Sequence, residues 1–296
     1  MMRHFCYSEE GVQGGCEPLT VKRALGDVPV ANVSLATHQQ VALQSLGYSL
    51  VEDKKCDLEI SPAAWFDSKE LASFVSDEEA GQIVDEQGGV LAHYKKRGKK
   101  VYKTKTSFLI RYSWDFLRAN ELAIAAMTLW ENHGTCHSSL YVEGRLSVGR
   151  GTKILPGVVV EGDVVIGDHC KVGPNCYLRG STTVGSHCHV GQAVELKNSI
   201  LFSHTNVGHL SYIGDSILGE KVNLGAGTIT SNLRHDGKTH RSAVAGSLVD
   251  TGRRKFGAVI GDRVHTGIHT SIYPGRKIWP GLTTLPGDIV TQDLQQ

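Results

Sequence analysis

The sequence predicts a mainly β protein: a parallel β-helix of six-residue repeats over residues 132–296, behind a small α/β domain over residues 1–131. Three observations carry this. Val142, Val148, Ile154, Val160, Ile166, Val172, Leu178, Val184, Val190, Leu196 and Phe202 follow one another six residues apart. Two positions ahead of most of them runs a second series, small or β-branched: Thr152, Val158, Val164, Cys170, Cys176, Thr182, Cys188, Val194 and Ile200. Glycine is abundant, 34 in 296 residues, and often follows the aliphatic residue, where the chain has to turn a corner. Neither the 3.6-residue period of a helix nor the alternation of a strand gives a six-residue beat. Each hexad supplies one short strand and one turn, three hexads close a triangular coil of 18 residues, and both apolar series point inward. Cys170, Cys176 and Cys188 then serve as small buried hydrophobes.

In the front domain, residues 32–47 (NVSLATHQQVALQSLG) read as a capped amphipathic helix closed by Gly47. Residues 90–110 read as a hairpin, two strands around an Arg97-Gly98 turn. Seven basic residues lie between Lys95 and Lys105, and with Tyr102 as the single aromatic among them they make a solvated face rather than a nucleic-acid site. Residues 113–130 read as a helix with Ser113 as N-cap and Trp114, Leu117, Ile124 and Met127 on one packing stripe.

A net charge of +1 creates no strong field towards nucleic acid or membrane. No apolar run reaches the roughly 20 residues of a bilayer span, and residues 1–19 lack the apolar segment of a signal peptide. The seven cysteines form no CxxC pair, so a zinc knuckle is not expected and a reducing cytoplasm is the default.

Along the β-helix the beat slips by one after Phe202, resumes at Val207 and Ile213, and slips again before Leu218 and Leu224. Residues 232–256, polar and basic, break it. It returns at Ile260, Thr266, Ile272 and Ile278 and fades towards Val290. So long an excursion from a regular solenoid points to function.

Residues 18 apart stack about 4.8 Å from each other on successive coils. Behind the inward aliphatic, one edge carries Gly149, Gly167 and Gly185, and a second Leu155, Gly173 and Gly191. The third carries Glu143, Glu161, Arg179 and Lys197. Glu161 beside Arg179 is an ordinary cross-strand pair of little energetic consequence. Arg179 over Lys197 is a like-charge contact that calls for an anion, and an Arg fork beside a Lys suits a phosphate. His209 follows the inward Val207 by two, so it faces outward or sits at a turn, where an imidazole can act as general base. A solvated charged face and a lone surface histidine are the competing readings.

Residues 208–215 (GHLSYIGD) and 223–232 (NLGAGTITSN), with Leu178-Arg179-Gly180 and Glu195-Leu196-Lys197, resemble the acetyltransferase domain of the bifunctional GlmU family, glucosamine-1-phosphate N-acetyltransferases that are also N-acetylglucosamine-1-phosphate uridylyltransferases. Residues 232–238 (NLRHDGK) and 250–262 (DTGRRKFGAVIGD) are similar to the archaeal sugar-1-phosphate nucleotidylyltransferase/acetyltransferase branch. The resemblance covers roughly residues 140–290 and implies a left-handed β-helix of the hexapeptide acyltransferases. It implies an acetyl-CoA-dependent N-acetyltransferase, an enzyme acting on an amino-sugar 1-phosphate. His209 would be the base, Arg179 and Lys197 would hold the phosphate, and Tyr212, Asn223, Asn232 and Lys238 would line the amino-sugar site. The Gly225-Ala226-Gly227 backbone would lie beside acetyl-CoA. A cytoplasmic homotrimer with sites between subunits, partly built by residues 232–256, is implied as well. Leu233 stands where bacterial members have Tyr, and Ile268 where they have Ser near CoA.

Residues 29–48 resemble the P-x-x-x-x-P-L stretch and first long helix of a nucleotidyltransferase, and residues 112–121 the end of that domain. The loop G-x-G-T-R-x-x-P is missing, and residues 9–18 (EEGVQGGCEP) hold no Arg in that context. The front domain therefore reads as a shrunken relic without uridylyl transfer. Two rival readings stand beside the enzyme. One is a non-catalytic sugar-nucleotide-binding protein or scaffold. The other is a γ-carbonic-anhydrase-like metal site of His204, His209 and His169, with His169 at a different hexad phase from the other two.

Overall fold

A computed structural model describes residues 3–8, 15–52 and 55–295. Two compact units divide the chain: Met1–Gly15, Arg23–Pro29 and Val33–Tyr112 form one, and Cys16–Lys22, Val30–Asn32 and Ser113–Gln296 the other. No helix among the described residues is long and apolar enough to cross a membrane.

The second unit is a three-sided parallel β-helix. Its first wall stacks Thr135–Cys136, Lys153–Ile154, Lys171–Val172, His189–Gln192, Asn206–His209 and Asn223–Leu224 in parallel. The long strands Tyr141–Val148 and Val159–Ile166 run through a corner and serve the second and third walls together. Above them the second wall continues through Tyr177–Arg179, Glu195–Lys197, Tyr212–Gly214, Ile229–Thr230, Ser271–Ile272 and Ile289–Val290. The third continues through Thr182–Val184, Ile200–Leu201, Ile217–Leu218, Val259–Ile260 and Lys277–Ile278. Partners lie 18 residues apart on the lower coils, as in Leu178↔Leu196, and 17 apart on the next, as in Leu196↔Ile213. The inward aliphatics and Cys170, Cys176 and Cys188 fuse into one buried stack from Val148 to Val290.

Two details of the repeat differ from expectation. Val142, at the open lower end with no coil beneath it, is 38% exposed. The first slip comes one step earlier than expected: Leu201, not Phe202, sits over Val184, and Ile200 stands over Thr183 rather than inward. A five-residue step from Leu196 to Leu201 thus shortens the coil to 17, and apolar residues at 200, 201 and 202 hid the shift.

Residues 232–256 leave between the second and third walls, so Ile217 and its partner Val259 are 42 residues apart. They contain an antiparallel hairpin, Arg241–Val244 with Ser247–Asp250. Ser242 Oγ donates to Gly275 O at 2.8 Å, and Lys277 Nζ donates to Ala243 O at 2.8 Å. Burial pushes the Lys277 amine's pKa down. The excursion is therefore packed structure. Helix α3, Asp115–Ala126, sits on the outer face of the third wall, where Asn120 Oδ1 accepts from Thr183 Oγ1 at 2.8 Å and Asn120 Nδ2 donates to Ser181 O at 3.0 Å. Its N-cap is Trp114 rather than Ser113, with no side-chain cap bond. Trp114 meets Phe256 edge to face at 5.9 Å.

The first unit is a six-stranded mixed sheet in the order Tyr48–Leu50, Arg3–Tyr7, Leu58–Ile60, Val90–Tyr94, Ala80–Val84, Lys100–Lys103. Helix α1, Leu35–Gln44, is capped by Ser34, whose Oγ accepts from Thr37 N–H. Helix α2, Ser68–Ser76, was not expected; Asp67 caps it by accepting from Lys69 and Glu70 N–H. Leu43, Leu71, Phe74 and Val75 from these helices join the sheet's core. The expected hairpin over residues 90–110 does not form. Val90–Tyr94 and Lys100–Lys103 both pair with Ala80–Val84, the first antiparallel and the second parallel. Gly98 makes the crossover possible, because a Cβ there would lie 1.8 Å from Glu79 O. Cys6 and Cys56 are joined in a disulfide. Of residues 9–18, whose composition argued against a nucleotide loop, residues 9–14 lie outside the described residues.

Candidate functional site

The β-helix register stacks Glu143, Glu161, Arg179 and Lys197 in one column of the second wall. Arg179 and Lys197 are vertical neighbours, yet each has its own carboxylate. Arg179 donates through Nε to Glu195 Oε1 at 2.8 Å and through Nη2 at 2.7 Å. Lys197 Nζ lies 2.7 Å from Asp215 Oδ2. Glu161 is not the partner of Arg179: it accepts from the Tyr177 hydroxyl instead. The like charges are thus compensated within the chain, and the guanidinium also lies 5.3 Å from the Tyr177 ring centre.

Asp215 gathers further donors. Asn232 Nδ2 donates to its Oδ2 at 2.6 Å and Asn198 Nδ2 to its Oδ1 at 3.1 Å. Asn232 Nδ2 also donates to the Tyr212 hydroxyl oxygen at 2.9 Å. Burial pushes the Tyr212 hydroxyl's pKa up, and the Asp215 carboxylate adds to it. Four residues singled out in the sequence therefore lie together: Arg179, Lys197 and Tyr212 on the second wall and Asn232 at the start of the excursion, with Asp215 bonded to Lys197 and Asn232, and Asn232 bonded in turn to Tyr212. Asp215 and Glu195 went unassigned, although both stood inside the quoted motifs. On this coil the step is 17, so Gly214 stands over Lys197, and Asp215, the next residue, turns the corner above Asn198.

His209 ends the strand Asn206–His209 on the first wall and is exposed. Leu210, at φ +50°, turns the corner, and Tyr212 opens the second wall. His209 is therefore at the rim, one corner away from the Lys197 set. One coil higher come Gly225, Ala226 and Gly227. A Cβ on Gly225 would fall 2.5 Å from Gly267 C, and one on Gly227 2.6 Å from His269 Nδ1, so coil stacking alone requires these glycines. The Gly225 N–H bonds Thr266 O and the Gly227 N–H bonds His209 O. Ala226 N–H has no partner among the described residues. Asn223 is exposed on the first wall, between Asn206 and His265. Lys238 is exposed on the excursion. Leu233 lines a cavity of about 520 Å³ with Ser231, Arg234, His235, Asp236, Tyr273 and Pro274.

The histidines considered for a metal divide otherwise than expected. His169 and His204 share one edge, with His187 stacked between them at ring-centre distances of 5.1 and 4.8 Å, and His209 is the one out of phase. Among the described residues no three His, Cys, Asp or Glu side chains converge as metal ligands would.

Comparison with known proteins agrees with the motifs. Residues 160–280 match the family model described as the GMPPB C-terminal domain. The bifunctional sugar-1-phosphate nucleotidylyltransferase/acetyltransferase of Sulfurisphaera tokodaii is 37% identical over 181 residues, 61% of this chain and 45% of that protein. The bifunctional protein GlmU of Methanococcus aeolicus is 40% identical over 184 residues, 61% of this chain and 44% of that protein. The match thus spans less than half the length of either relative. Among solved structures, the acetyltransferase domain of PglB from Neisseria gonorrhoeae aligns over 100% of this chain and 94% of that one at 10% identity, with a TM-score of 0.25, too low to add to the fold. The C-terminal half of the chain is therefore a homologue of the GlmU-type sugar-1-phosphate nucleotidylyltransferase/acetyltransferases.

Proposed function

We propose that the protein is an N-acetyltransferase that moves the acetyl group of acetyl-CoA onto the amine of an amino-sugar 1-phosphate. The observation that carries this reading is the hydrogen-bonded set of Lys197, Asp215, Asn232 and Tyr212 beside Arg179, with the exposed His209 one corner away. The phosphate lies against Arg179 and Lys197. Glu195 and Asp215 leave that pair formally neutral, so the phosphate competes with them for the two cations, while Lys238 on the excursion lines the amino-sugar site. Tyr212, Asn223 and Asn232 bond the sugar hydroxyls.

His209 removes a proton from the attacking nitrogen. The nitrogen forms a C–N bond to the thioester carbonyl, and the resulting oxyanion accepts the Ala226 N–H, the donor that Gly225 and Gly227 cannot offer. The C–S bond then breaks, and the departing thiolate takes the proton from His209. The side-chain-poor Gly225-Ala226-Gly227 corner gives the acetyl-CoA arm room to approach. The active form is a homotrimer whose neighbour completes the site, and the first unit transfers no nucleotide.

The test is a panel of amino-sugar 1-phosphates offered with acetyl-CoA, reading free thiol. Acetyl-dependent thiol release with one of them, abolished in His209→Ala, supports the reading. Tight binding of the sugar phosphate without thiol release would instead make the protein a binding module or scaffold.

A further inference from the structure

We infer that Asp215 is a positioning residue for Lys197, a buried carboxylate that fixes Lys197 and Asn232 at the corner that closes the second wall. This rests on the functional reading above and adds a residue to it. Asp215 is 2% exposed, and three nitrogens converge on it: Lys197 Nζ at 2.7 Å, Asn232 Nδ2 at 2.6 Å and Asn198 Nδ2 at 3.1 Å. Both oxygens are used, so the carboxylate can neither rotate nor slide.

The coil does not need an acid here. Gly162, Gly180 and Asn198 take the same corner on the coils below with φ of +98°, +66° and +48°, and Asp215 follows at +49°. Glycine or asparagine suffices to turn that corner. What the aspartate adds is a negative charge under an ammonium whose side chain is only 14% exposed. A buried charge pair rarely contributes much net stability. It does restrict where a flexible lysine can place its charge.

A second layer steadies the first. Asn198 Nδ2 also donates to Glu121 Oε1 of α3 at 2.8 Å, and the same oxygen accepts from Arg253 Nη2 of the excursion at 2.5 Å. The excursion, α3 and the corner are thereby tied to the carboxylate that holds Lys197.

The test is Asp215→Asn in the full chain. Asparagine tolerates φ > 0, so the corner is kept, but its amide has one acceptor oxygen and turns an NH₂ towards an ammonium or another amide. With wild-type thermal unfolding as the check on folding, the expected result is a KM for the amino-sugar 1-phosphate raised about tenfold or more, with KM for acetyl-CoA within about twofold. In the absence of substrates, labelling of Lys197 by trinitrobenzenesulfonate, read by peptide mass spectrometry, should become about fivefold faster as the ammonium is released. Glu121→Gln, which unties only the outer layer, should move the labelling in the same direction by less, and it decides the matter if Asp215→Asn does not fold. A folded Asp215→Asn protein with unchanged KM and unchanged Lys197 labelling overturns the inference. If the wild type releases no thiol, the functional reading falls, while the labelling still judges Asp215.

Discussion

The second wall of the β-helix and the sheet of the first unit are both six or more strands wide, yet they differ in how far each residue determines its neighbours. On the wall, the partner of any residue lies 17 or 18 positions on, so charge, hydroxyl and core columns can be followed along the chain. In the first unit, Ala80–Val84 pairs antiparallel with the strand ten residues later and parallel with the one after that. No local pattern orders those three. A repeat converts long-range contacts into fixed sequence separations, whereas a mixed sheet leaves them to packing.

The largest expected effect separates chemistry from scaffold on the β-helix itself. His209→Ala should lower acetyl transfer by about 10²–10⁴-fold with the unfolding transition unmoved, since the imidazole is exposed at a strand end. A fall in thermal stability of comparable prominence would mean that His209 belongs to the scaffold.

Next comes a paired core truncation, Leu196→Ala in the wall and Leu71→Ala in the first unit, both fully buried. Each should cost about 2–5 kcal/mol. Hydrogen exchange should differ: raised protection loss confined to coils next to Leu196, but spread across the whole first unit for Leu71. Equal spread in both would erase the contrast.

Glu70 gives a smaller effect in the first unit. Burial pushes its pKa up, but N–H groups of Lys105, Ser107 and Thr106 and the Ser107 hydroxyl outweigh it and hold the carboxyl below its ordinary value. A depressed acid stabilises above its unfolded pKa of about 4.3 and loses that contribution as pH falls through the folded value. Glu70→Gln should cost about 1–3 kcal/mol at neutral pH, and its deficit relative to wild type should shrink on acid titration below about pH 4.

The smallest concerns the excursion. His240 is buried, with Nε2 3.0 Å from Asn232 O, and burial pushes its pKa down. The folded state prefers the neutral ring, so stability is lost as pH falls below the unfolded value of about 6.5. Amide exchange over residues 240–251 should quicken between about pH 6.5 and 5, and His240→Gln should flatten that dependence.

Much of the β-helix was legible in the sequence because its period is short and its corners are marked by glycine. The place of the first slip was not, since Ile200, Leu201 and Phe202 are all apolar and all buried, and hydrophobicity alone cannot say which of them faces the core. In the site, the column that stacks Arg179 on Lys197 was readable from spacing. Its counter-ions carry no such mark: Glu195 sits two residues before Lys197, and Asp215 in the Gly214-Asp215 pair passes for a turn residue. Glu121 and Arg253, 132 residues apart, meet through α3 and the excursion, neither of which obeys the repeat. The hairpin misreading in the first unit had a similar origin, because Arg97-Gly98 is a turn signal whether it joins partners or crosses over.

The most direct measurement compares KM for an amino-sugar 1-phosphate with that for the same amino sugar lacking the phosphate, in the wild type and in the Arg179→Ala/Lys197→Ala protein. A clamp predicts a wild-type preference for the phosphorylated sugar of about a hundredfold that falls to within a few-fold in the double variant. An equal preference in both proteins, or none in the wild type, would contradict a phosphate held between Arg179 and Lys197.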